Sequence, residues 1–174
     1  MNDVGQTMTR RQLMRHSAWF GAAVVLTVSA GEVVSTVAGC AAKPQSSTPT
    51  FTFAQVSDSH IGFTGAANTD VTGSFEKGID AINALTRPPD FVIHTGDLTH
   101  LSTPGQFDQV KQMLTRLKTP HVFTVPGEHD STDDAGQKYR SAFGAGTTGD
   151  GWYSFDIGGA RVIGLVNTLN MNKL

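Results

Sequence analysis

The 174-residue chain has a single cysteine, Cys40, so no intramolecular disulfide can staple it. It carries little excess charge of either sign. Its 13 Lys and Arg stand against 15 Asp and Glu, and the formal charge of −2 gives no basic surface for nucleic acid. No apolar run reaches membrane-spanning length: the stretch from Ala18 to Ala30 falls short of the about 20 residues a span needs. Extending it to Ala38 would enclose Glu32, and a carboxylate at mid-bilayer costs about 2.5–3.5 kcal/mol. There is no internal repeat or low-complexity tract, and the glycine-rich stretch 144–151 lacks the lysine and spacing of a phosphate-cradling loop. What remains is the composition of one ordinary globular domain behind an N-terminal leader.

The leader carries specific motifs. Thr9-Arg10-Arg11-Gln12-Leu13-Met14-Arg15, placed ahead of the apolar run, resembles a twin-arginine export signal. Val37-Ala38-Gly39-Cys40 resembles a bacterial lipobox, in which Cys40 becomes the lipidated first residue of the mature chain and its link to a membrane. Residues 1–40 are thus expected to be a cleaved signal, which places the product in the periplasm or on the cell surface. The alternative is a cut by another peptidase, for instance after Ala42, that discards Cys40. Residues 41–50, with Pro44, Ser46, Ser47 and Pro49, read as a polar linker.

From residue 51 the chain alternates strand and helix. Phe51 to Val56, Phe91 to His94 and His121 to Val125 are short apolar runs of strand length. Between them, Phe75, Ile79, Ile82 and Leu85 form one helical stripe, ended by Arg87-Pro88-Pro89. Phe107, Val110, Leu114 and Leu117 form a second, ended by Lys118-Thr119-Pro120. A short helix over Ala135 to Phe143 and a hairpin of 152–157 and 161–166 about Gly158-Gly159 follow. The order β-α-β-α-β predicts an open α/β sheet whose strand-end loops collect at one edge.

Each of the three strands is followed by groups that suit a metal. Asp58 and His60 lie two apart and can converge on one cation. Carboxylate oxygen with imidazole nitrogen favours first-row ions such as zinc, manganese or iron over calcium. Asp97 follows Gly96, and its two carboxylate oxygens allow it to bridge two ions, the clamp used for in-line displacement at phosphorus. Glu128 would serve the second ion, leaving His129 to meet a substrate with Asp130 beside it to set its orientation and proton affinity. Taken singly, Asp-x-His and Gly-Asp are ordinary loop sequence. Their order, each after a strand, is what points to a metal site.

The pattern Asp58-x-His60, Gly96-Asp97, Gly127-x-His129-Asp130 resembles the calcineurin-like metallophosphoesterases, near the class III cyclic-nucleotide phosphodiesterases and related secreted phosphatases. The resemblance runs from about Phe51 to Thr168. It implies an α/β/β/α sandwich, of which residues 51–174 would be the N-terminal part only. It implies two divalent or trivalent ions (Fe, Mn or Zn): Asp58 and His60 on the first, Asp97 bridging, position 128 on the second, and His129 protonating the leaving group. The expected activity is hydrolysis of a phosphate mono- or diester by a metal-bound hydroxide.

Departures from the family pattern qualify that expectation. Position 128 is usually Asn in this family, and Glu128 adds negative charge that opposes acidification of a bound water, favouring a more highly charged ion or a higher working pH. Position 100, often Asp, is His100, read as a loop residue. The family completes its site with a further His and a Gly-His-x-His cluster, and no histidine follows His129 in these 174 residues. The other histidines do not replace them: His16 lies in the leader, while His94 and His121 read as partly buried or edge residues. The alternative function is therefore a non-catalytic surface lipoprotein that binds metal or a partner.

Overall fold

The computed structural model describes residues 51–169, together with the backbone of two strands nearer the N-terminus. These are β1 (Val24–Ser29) and β2 (Glu32–Val37). The remaining strands are β3 (Phe51–Val56), β4 (Phe91–His94), β5 (Val122–Thr124), β6 (Tyr153–Ile157) and β7 (Ala160–Gly164). The helices are α1 (Val71–Asn83), α2 (Pro104–Leu114) and α3 (Gln137–Phe143). The twin-arginine motif, Cys40 and the 41–50 linker lie outside the described residues.

β3, β4 and β5 form the expected parallel sheet, with Phe53 opposite Phe91 and Val92 opposite Val122. Each strand is short and rich in β-branched or aromatic residues, and each crossover runs through a helix, the connection that parallel neighbours require. Asp70 caps α1 by accepting from the Gly73 amide at 2.8 Å, and α2 opens on Thr103 with Pro104 in its first turn, where no amide donor is needed. α1 ends at Asn83 and α2 at Leu114, so Leu85 and Leu117 of the apolar stripes lie just beyond the helices, and Leu117 still packs into the core.

Alternation along the strands sorts the core onto two faces. Ala54, Val56 and Val92 pack against Phe75, Ile79 and Ile82 of α1, Phe107 and Val110 of α2, and Tyr139 of α3. The other face carries stacked rings: Phe53 lies 4.8 Å from Phe91, and Phe123 lies 4.0 Å from Phe155 of β6. β6 and β7 pair about Gly158 and Gly159, both at positive φ as a tight hairpin turn demands. Helices, sheet and hairpin are thus three successive layers of the expected α/β sandwich.

The sheet extends beyond the three expected strands. β1 and β2, within the segment expected to be an export signal, form an antiparallel hairpin, and β1 extends the sheet antiparallel to β3, giving the order β2-β1-β3-β4-β5. The repeated Val and Thr of Val24–Ser29 and Glu32–Val37 suit extended backbone. β3 therefore has a neighbour on both sides.

Candidate metal centre

The loops after β3, β4 and β5 meet at the carboxyl edge of the sheet. The first two continue the strand pairing past its formal end: the Asp58, His60 and Ile61 amides donate to the Gly96, Asp97 and Leu98 carbonyls, each at 3.0 Å. Asp58, His60 and Asp97 all hold positive φ, at 59°, 41° and 52°. Left-handed backbone is costly for non-glycine residues and persists only where surrounding contacts impose it. Here the interloop ladder imposes it, and the consequence is that all three side chains face one point.

Glycine makes the third loop fit. A Cβ at Gly127 would stand 2.1 Å from the amide nitrogen and Oδ1 of Asp97, and one at Gly96 would stand 2.8 Å from the Cα of Gly127. The two strand ends are in backbone contact, and only glycines permit it. This closeness lets the His129 amide donate to Oδ1 of Asp97 at 2.9 Å.

Nε2 of His60 lies 3.8 Å from Oδ1 of Asp58 and 3.7 Å from Oδ2 of Asp97. These separations are too long for hydrogen bonds. They match two donors on one cation, since ligands each about 2.0–2.2 Å from an ion stand roughly 3–4 Å apart. Donor atoms of Asp58, His60 and Asp97 form one such group, and those of Asp97, Glu128 and His129 form another, all within 4.8 Å of one another in each case. Asp97 belongs to both, as a bridging carboxylate would. Nε2 is thus the nitrogen of His60 that faces both carboxylates. The donor set thus fits metal ions.

Every side chain proposed as a ligand from sequence converges here: Asp58, His60, Asp97 and the exposed Glu128. His129 joins them, with its Nδ1 2.8 Å from the His100 carbonyl oxygen. A carbonyl only accepts, so Nδ1 carries the hydrogen and Nε2 faces outward with its lone pair or a second proton.

Asp130 departs from its expected role. Its carboxylate is fully buried and turned away from His129 into the protein, accepting from the Leu98 and Thr99 amides, the Thr99 hydroxyl and the Gly127 amide at 2.9–3.0 Å. Burial pushes its carboxyl above the ordinary carboxylate value, against the pull of those four hydrogen bonds. Asp130 ties the loops after β4 and β5 together, and the carbonyl of His100 does the orienting of His129.

His94 is wholly buried. The Gly96 amide donates to its Nδ1 at 3.3 Å, so Nε2 carries the hydrogen and donates to Ser59 Oγ at 2.9 Å, which donates in turn to the Leu98 carbonyl at 2.9 Å. Burial, and secondarily His60, pushes the imidazole down to about 3, so it stays neutral. It is a structural histidine, as is the exposed His121, whose carbonyl pairs with β4 at the far end of the strand.

His100 is the residue that sequence reasoning passed over. Its ring stacks on His129 with centroids 4.9 Å apart and meets His60 edge-on at 5.6 Å. Burial first, then His129 and His60, hold its imidazole below the usual value. The available signal was a third histidine three residues after Asp97, in a loop already assigned to the site.

Residues 51–171 match the calcineurin-like phosphoesterase family. The chain belongs to that family. Two curated relatives are a probable glycerophosphodiester phosphodiesterase, GpdQ, of Arcobacter nitrofigilis and the glycerophosphodiester phosphodiesterase GpdQ of Enterobacter lignolyticus. The first is 32% identical over 89 residues, covering 49% of this chain and 32% of the relative. The second is 30% identical over 87 residues, covering 44% and 28%. The matched region therefore spans about a third of each of these relatives.

Proposed function

We propose that this chain carries the metal-binding residues of an exported, lipid-tethered phosphoesterase whose substrates are phosphodiesters of the glycerophosphodiester class. The observation that carries the reading is the convergence of Asp58, His60 and Asp97 at separations that suit a shared cation rather than hydrogen bonds, with donor atoms of Glu128 and His129 within 4.8 Å of Asp97. The names of the two relatives support a diester over a monoester.

In this reading Asp58, His60 and Asp97 would hold one ion, and Asp97 with Glu128 a second. Such ions, when bound, would supply Lewis-acid activation of water and neutralisation of charge on a phosphoryl group. The protein's own part is placement. Asp97 is fixed by the His129 amide, and His129, held through Nδ1, directs Nε2 toward the leaving-group oxygen and delivers its proton. A proton donor of this sort contributes about 10²–10⁴-fold.

The test is the His129→Ala variant, assayed on a chromogenic phosphodiester with its manganese content measured in parallel. Manganese content should match wild type while turnover drops by about 10²–10⁴-fold; undiminished activity would dismiss the role. Glu128→Asn should lower the pH at which turnover is maximal, because it removes negative charge beside the water. Unchanged metal content and an unchanged pH profile would mean that Glu128 is no ligand. Acyl labelling of Cys40, or accumulation of the uncleaved precursor under globomycin, tests the tether, and an unlabelled mature product lacking Cys40 would reject it.

A further inference from the structure

Three imidazoles meet at the edge of the centre, and the carboxylate-based reading leaves one of them without a task. Donor nitrogens of His60, His100 and His129 lie within 4.8 Å of one another, each in a half-buried side chain. Their rings pack on one another: His60 to His129 4.7 Å at 87°, His100 to His129 4.9 Å at 22°, His60 to His100 5.6 Å at 67°. Nδ1 of both His60 and His100 is buried without a hydrogen-bond partner among the described residues, and Nδ1 of His129 is engaged by a carbonyl. A ring whose one nitrogen is anchored by a carbonyl has the arrangement found when the other nitrogen binds metal. Phe63, edge-on to His100 at 5.0 Å, walls the cluster on its outer side.

We propose that His60, His100 and His129 form a nitrogen-only cation site for an ion of the zinc or copper class, overlapping the carboxylate-lined centre and inhibitory when filled. Imidazole donors favour zinc and copper, whereas manganese gains more from carboxylate oxygens. The two donor sets therefore sort ions by chemistry. They share His60 and His129, so filling the imidazole set withdraws one ligand and the proton donor from the working centre. The competition rests on the function proposed above; the three-imidazole site rests only on the geometry of the rings.

The test compares the wild-type chain with His100→Gln, His100→Asn and Asp58→Asn, by calorimetry with Zn²⁺ and with Mn²⁺ and by electron paramagnetic resonance of bound Cu²⁺. Both His100 variants should weaken Zn²⁺ binding tenfold or more and remove one nitrogen coupling from the Cu²⁺ spectrum. Their Mn²⁺ affinity should stay within twofold of wild type, which also reports that the loops are folded. Asp58→Asn should weaken Mn²⁺ and spare Zn²⁺. Unchanged Zn²⁺ affinity and nitrogen couplings in the His100 variants would overturn the site, and equal weakening of both ions in Asp58→Asn would overturn its separateness. Absence of Mn²⁺ binding by wild type would sink the working-centre reading and the competition with it, while the copper nitrogen count would still judge the three imidazoles.

Discussion

Single side chains in this molecule act according to where the fold hides them. His94 is the clearest case, because its neutral form is built into the hydrogen-bond chain from Gly96 through Ser59 to Leu98. Unfolded, its imidazole titrates near 6.5; folded, near 3. The folded value is the depressed one, so its contribution to stability is complete above 6.5 and is lost as pH falls from there toward 3. The slope is up to about 1.4 kcal/mol per pH unit. The raised carboxyl of Asp130 acts in the opposite sense and offsets part of the loss at the acid end. Urea unfolding of the wild type should show about 2 kcal/mol less stability at pH 5 than at pH 7. His94→Gln, less stable at pH 7, should show a flatter profile, and parallel profiles would rule His94 out as the source. Adjacency in sequence carries none of this: it set Asp130 beside His129 and said nothing of the carboxylate turning inward.

At the scale of elements, the site is a junction of three strand ends. The strands and their ligand loops were legible in the sequence, because apolar runs of strand length bounded by Pro and Gly leave few other readings. β3 and β4 coincide with their expected limits, and β5 is shorter by a residue at each end. What joins the loops was not legible. Asp130 accepts four hydrogen bonds from residues on two of them, and nothing in Gly-Glu-His-Asp distinguishes a buried acceptor from a carboxylate that orients His129. Asp130→Asn replaces an all-acceptor group with one that presents hydrogens to at least one amide donor. It should lower unfolding free energy by about 3 kcal/mol or more in urea titrations, with metal affinity falling alongside. A residue that served only to tune His129 would leave stability intact and move the pH–rate profile instead.

Over the whole molecule, residues 24–37 are claimed twice. In the export reading proposed above they belong to a signal that is removed, and the sheet uses their strands to cover the outer side of β3. Removal would leave β3 paired only to β4, and an unpaired edge is a template for another chain. A chain lacking residues 1–40 should self-associate with rising concentration in sedimentation experiments and unfold about 4 °C lower, equivalent to about 1 kcal/mol for a domain of this size. A monomer with an unchanged midpoint would show that the hairpin adds nothing to the fold. The two readings of this segment are not separable from sequence, since Val- and Thr-rich stretches suit a strand and the apolar part of a signal alike.

The backbone contact between Gly96 and Gly127 has a further consequence for how such a centre diversifies. Two loops locked together at the base can neither lengthen nor swing there without parting Asp97 from His129. Room for change lies farther out, in stretches such as 63–70 beyond His60, whereas residue 100 is itself tied in, its amide donating to the Ile61 carbonyl and its carbonyl accepting from His129.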